Sequence, residues 1–101
     1  GMLASHYSPS TTLLIGDMEK LLTEHGHKNY AIISFNKIYN DEKDRHFLLS
    51  ETHNFDEAAR NLFKIMRDID ELKYEIILAE LLPEEQLGMA INDRLRRAAY
   101  R

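Results

Sequence analysis

Residues 54–82 read NFDEAARNLFKIMRDIDELKYEIILAELL, and this stretch decides the fold. Asn54 is a natural helix cap, and Glu57, three residues on, completes a capping box. Phe55, Ala58, Ala59, Leu62, Phe63, Ile65, Met66, Ile69 and Leu72 then fall on one half of a helical wheel. Arg60, Lys64, Arg67, Asp68 and Glu71 fall on the other half. Such a helix covers something apolar. The period changes at Tyr74, where the run to Leu82 reads as a strand that Pro83 stops. A long amphipathic helix feeding an unalternating apolar strand predicts a sheet with helices on its faces.

Working outward, the same grammar recurs. Thr11 to Ile15 is a short β-rich run, followed by Gly16 and by Asp17 as a helix cap. Met18, Leu21, Leu22 and His25 repeat at helical spacing, and Gly26 supplies the stop. Tyr30 to Phe35 is a second strand without polar alternation, and Phe47 to Ser50 a shorter third. After Pro83, Leu87, Ala90, Ile91, Leu95 and Ala98 share the face of a final helix. The predicted order is β-α-β-β-α-β-α, a three-layer α/β/α domain with a mainly parallel four-stranded sheet. No helix fits residues 36–46. Either a loop makes a parallel crossover there, or strands two and three form an antiparallel hairpin. The buried character of strand three favours the loop.

Composition narrows the chemistry. At 101 residues the chain fits one domain able to bury a core. No apolar run is long enough to span a bilayer, so no membrane partner is expected. No signal-peptide pattern opens the chain, which argues for a cytoplasmic protein. Zero cysteines excludes disulfides, cysteine-ligated metals and thiol catalysis. Gly1-Met2 reads either as an expression scar with a start methionine or as the end of a natural linker. The net charge of −4 is uneven. The last ten residues hold Arg94, Arg96, Arg97 and Arg101 against Asp93 alone, which suits a helix C-terminus better than a nucleic-acid stripe.

Few side chains invite a chemical role. His25 and His27 flank Gly26, but helix-stop chemistry accounts for them and no metal site is expected. His46 and His53 read as surface residues. Glu84 and Glu85 suit a helix N-terminus, whereas Glu80 sits where open α/β sheets bind ligands. Neither a dinucleotide fingerprint, a phosphate-binding loop nor a nucleophile elbow occurs. Arg94 falls amid the apolar face of the last helix. It needs an ion pair, with Glu80 or another acid near a strand end, or else anchors the domain to another; the ion pair is favoured. His6-Tyr7-Ser8-Pro9 places an imidazole, a phenol and a rigid Pro together in a segment with no core to fill. Such groups reach into polar sites.

Three stretches resemble one family. Gly1 to Pro9 resembles the interdomain linker of two-domain threonylcarbamoyl-AMP synthases. Asp56 to Asp70 resembles the long helix of their C-terminal accessory domain. Pro83 to Gly88, followed by Ala90 to Ala99, is similar to its terminal signature. The resemblance implies a linker over residues 1–10 and a Rossmann-like accessory domain over 11–101. It implies a YrdC-like catalytic domain as partner, absent from this chain. Such enzymes condense L-threonine, bicarbonate and ATP, with magnesium, into threonylcarbamoyl-AMP for tRNA modification. His6, Tyr7 and Pro9 would then gate the nucleotide site. Asn92-Asp93-Arg94 matches the family pattern but implies no catalytic role. On this reading the chain holds no catalytic residue and no cofactor of its own. It serves as lid and regulator of the catalytic domain. The rival expectations are an independent nucleotide- or RNA-binding module and a plain interaction scaffold.

Overall fold

The structure is a computed structural model that describes residues 10–99. Its elements are β1 (Thr12–Ile15), α1 (Met18–His25), β2 (Tyr30–Ser34), β3 (His46–Leu48), α2 (Phe55–Glu71), β4 (Ile76–Ala79) and α3 (Leu87–Ala99). The four strands form one sheet in the order β1-β4-β2-β3, and every pairing is parallel. Leu14 lies opposite Leu78, which in turn lies opposite Ile32. The result is the expected α/β/α Rossmann-like domain. Among the described residues no helix is long and apolar enough to cross a membrane.

Strand position explains the hydrophobic pattern. β4 and β2 are central and buried along their whole lengths, so neither alternates. β1 and β3 are edges. β3 is only half-buried, less enclosed than its sequence suggests, yet it pairs parallel to β2. Leu13, Ala31, Ile33 and Ile77 face α2 and α3, whereas Ile32, Ile76 and Leu78 face Met18 and the rest of α1.

The β2–β3 crossover is a loop, as its composition requires, with one 3-10 turn at Lys43–Arg45. Side chains replace the missing helix. Arg45 donates to Asn29 Oδ1 and to the Tyr30 carbonyl, each at 2.9 Å, and lies over the Tyr30 ring. The Tyr39 N–H donates to His46 Nε2 at 3.0 Å.

Both predicted caps form. Asp17 accepts from the Glu19 N–H, and Asn54 Oδ1 accepts from the Glu57 N–H at 2.9 Å. The capping box closes through a relay. The Asn54 N–H donates to Ser50 Oγ, which donates to the Glu57 carboxylate.

The last helix departs from the wheel. Its buried stripe is Gly88, Ile91, Asn92, Leu95 and Ala98, while Leu87 and Ala90 are exposed. Asn92 is fully buried. Its Oδ1 accepts from the Leu82 N–H at 2.7 Å, and its Nδ2 donates to the Leu82 carbonyl at 2.8 Å. The amide thus partners a backbone whose strand has just ended. Gly88 lets the helix enter this close, since a Cβ there would lie 2.2 Å from the Pro83 carbonyl oxygen. Glu84 accepts from Asn92 and from Arg96. The Arg96 hydrogen bond, then that of Asn92, holds the Glu84 carboxyl below its ordinary range.

Replacing Asn92 by Ala would strand two buried backbone groups, at about 1–3 kcal/mol each. Asn92→Ala is expected to cost about 2–4 kcal/mol in urea unfolding. By contrast, Lys73 holds the left-handed φ of 62° just beyond α2 and is exposed. Lys73→Gly is expected to stabilise by about 0.5–1 kcal/mol in the same measurement.

Candidate functional site

Two regions invite a functional reading, one at each end of the strands. At the carboxyl end, β1 leads to α1 on one face of the sheet and β4 leads toward α3 on the other. A cleft of about 530 Å³ opens between them, lined by Asp17, Glu19, Lys37, Tyr39 and Glu80 among others. This is where open α/β sheets hold ligands.

Two of the cleft's polar side chains, Tyr39 and Glu80, are bonded to each other. Glu80 accepts from the Phe35 N–H at 2.7 Å and from the Tyr39 hydroxyl. Asp17 caps α1, and Lys37 lies over the Tyr39 ring. Burial, then the Glu80 hydrogen bond and the charges of Glu80 and Asp17, push the Tyr39 phenol well above its ordinary pKa. Three carboxylates against one ammonium make the cleft hostile to phosphate. Among the described residues no group of three His, Asp or Glu side chains gathers to hold a metal.

The expected Arg94–Glu80 ion pair does not form, because α3 turns Asn92 inward and carries Arg94 to its flank. There the Arg94 guanidinium lies 5.2 Å from the centre of the Phe63 ring, half-buried against α2. Arg96 pairs with Glu84, and Arg97 with Asp93 at 3.1 Å, both at the exposed surface. His53 is exposed as expected, stacked 4.0 Å from Phe35, whereas His46 is half-buried in the crossover. His6, Tyr7 and Pro9 lie outside the described residues.

At the amino end of the strands, the chain enters the domain through a clamp. The Ser10 N–H donates to Asp70 Oδ2 at 3.0 Å. The Thr11 N–H and Thr11 Oγ1 donate to Asp70 Oδ1, at 3.1 and 2.9 Å. Sequence reasoning missed Asp70. The available signal was an acid in the last turn of a helix, where the dipole disfavours it.

A family model described as the C-terminal domain of threonylcarbamoyl-AMP synthase matches residues 1–100. The chain belongs to this family. It is 34% identical to the Pyrococcus abyssi threonylcarbamoyl-AMP synthase over 98% of its own length and 31% of that protein's. It thus spans about a third of the length of the curated relatives it matches. The crystal structure of P. abyssi Sua5 complexed with L-threonine matches with a TM-score of 0.74 and 31% identity, over 93% of this chain and 29% of that one. A P. abyssi Sua5 variant with a consecutive His and Tyr both replaced by Ala matches at 0.69 and 31% identity, over 90% of this chain and 28% of that one.

The Tyr39 phenol gives the cleft a pH signature. Its folded pKa lies above the unfolded value of 10.0, so its contribution is intact below that pH and is lost as pH rises toward the folded value. Between about pH 9 and pH 11, stability is expected to fall more steeply in the native sequence than in Tyr39→Phe. Urea unfolding at the two pH values checks this.

Proposed function

We propose that this chain is the accessory domain of a threonylcarbamoyl-AMP synthase. It closes and regulates a YrdC-like catalytic domain through residues 1–10, and the full protein works in the cytoplasm. The full protein condenses L-threonine, bicarbonate and ATP, with magnesium supplied at the catalytic domain, and releases pyrophosphate. The product serves tRNA modification. The observation that carries this reading is the family match, which runs through residue 1 and so includes the His6-Tyr7 segment. The domain body supports it from the other side. Its strand-end cleft is lined by three carboxylates and one ammonium, and Arg96 and Arg97 each face a carboxylate, which disfavours an independent nucleotide- or RNA-binding module.

The chemistry of a lid suits this family. An acyl-adenylate is labile to water, and a segment that covers the bound nucleotide keeps water out while ordering the reactants. An imidazole and a phenol supply donors and acceptors for a polar ligand. Pro9 restricts the backbone, which limits the entropy lost on closing.

The test uses the full-length protein that contains this chain. Threonine- and bicarbonate-dependent pyrophosphate release is expected to fall about tenfold or more in His6→Ala/Tyr7→Ala, and likewise on deletion of residues 1–101. Undiminished release by both variants would overturn the lid reading.

A further inference from the structure

We infer that His46 is a pH-sensitive latch on the β2–β3 crossover. Its neutral ring holds Tyr39, and with it one wall of the strand-end cleft; a protonated ring releases them. The latch is independent of the lid reading above.

Both ring nitrogens of His46 are engaged, and their partners fix its protonation state. Nδ1 lies 2.9 Å from the Glu42 carbonyl oxygen, which only accepts, so Nδ1 carries the hydrogen. Nε2 lies 3.0 Å from the Tyr39 backbone nitrogen, whose N–H only donates, so Nε2 presents its lone pair. One neutral tautomer satisfies both contacts. A proton on Nε2 sets two N–H groups against each other, and the Tyr39 bond is lost. That loss reaches the cleft. Tyr39 is held at its N–H by His46 and at its hydroxyl by Glu80. Tyr39 and Lys37 are the crossover's contribution to the cleft lining. The stretch that carries them has only one 3-10 turn to stiffen it.

The surroundings give a protonated ring no new partner. Among the described residues no carboxylate forms an ion pair with His46. On the crossover, the Glu42 carboxylate lies 3.7 Å from Arg45 Nε, and Lys43 and Asp44 are exposed. Opposite His46 on β2 stands the apolar Ile32. At the end of β4, the Glu80 carboxylate accepts from the Phe35 N–H and the Tyr39 hydroxyl. Asp17 caps α1 and acts on the Tyr39 phenol through its charge. Lys37 lies 4.8 Å from the centre of the Tyr39 ring, so it adds a cation and not a counter-charge. The imidazole is parallel to that ring at 6.5 Å, at the limit of a useful cation–π contact.

Imidazoles change charge between about pH 5 and about pH 8. The test uses the full-length protein that contains this chain, and two measurements. Nitrogen NMR of labelled histidine is expected to show His46 with its hydrogen on Nδ1 and a bare Nε2 at about pH 8. Amide exchange at single-residue resolution gives protection factors, which correct for the intrinsic pH dependence of exchange. The factor for the Tyr39 N–H is expected to fall about fivefold or more from about pH 8 to about pH 5, while that of Leu78 in β4 holds. His46→Gln supplies an acceptor that does not titrate, and is expected to keep Tyr39 equally protected at both pH values. His46→Ala is expected to leave Tyr39 poorly protected at both. Any of four results overturns the latch: a hydrogen on Nε2 at the higher pH; constant Tyr39 protection across the range; the same fall in His46→Gln as in the native sequence; or equal losses at Tyr39 and Leu78, which mark general acid unfolding. If neither variant folds, the tautomer and the Tyr39 profile of the native sequence decide.

Discussion

The domain depends on β4, the last strand in the chain, entering between β1 and β2. It is hydrogen-bonded to both neighbours and is buried along its length. Until it arrives, β1 and β2 share no ladder, and neither the cleft nor the α3 seat exists. Such pairing is non-local, since residue 76 must find residues 12 and 30. Loop-closure entropy therefore opposes the sheet until late in folding. What offsets it is the α2 stripe immediately before β4, whose Ala58, Leu62, Met66 and Ile69 bury together with the sheet residues. The strand and the helix that delivers it work as one unit.

That arrangement divides the molecule into two poles. At the carboxyl end, β4 hands its chain to α3 under the grip of Asn92 on Leu82, and Glu80 ties β4 to the β2–β3 crossover through Phe35 and Tyr39. Two of these bonds engage the Glu80 carboxylate, and one the Tyr39 hydroxyl, at the edge of the cleft. At the amino end, the end of α2 meets Ser10 and Thr11, just ahead of β1, at Asp70.

Much of this was legible in the sequence, for physical reasons. The unalternating runs at Tyr30–Phe35 and Ile76–Ala79 announce strands buried on both faces, and Asn54 and Asp17 announce helix starts through their short acceptor side chains. The parallel crossover at 36–46 followed from the lack of any helical period. The final helix was read a partial turn out. A wheel scores Asn92 as polar and therefore outside, and Leu87 as apolar and therefore inside. Burial follows hydrogen-bond satisfaction as well as hydropathy, and Leu82 leaves an N–H and a carbonyl that only a side-chain amide answers there. Asp70 was invisible for another reason. Its partners lie about 60 positions away, and a single sequence carries no sign of that proximity beyond an acid at the wrong end of a helix.

The position of that acid also settles how the tether and the domain affect each other. A carboxylate in the last turn of a helix costs about 0.3–1 kcal/mol against the helix dipole. Hydrogen bonds to a charged acceptor contribute about 1.5–3 kcal/mol each. The clamp therefore more than offsets the placement, and α2 is better off with the tether in place than without it. Coupling of this kind is reciprocal. The same helix carries Phe63, on whose ring Arg94 of α3 rests. A load at residue 10 is thus borne by the packed pair of helices rather than by an isolated loop.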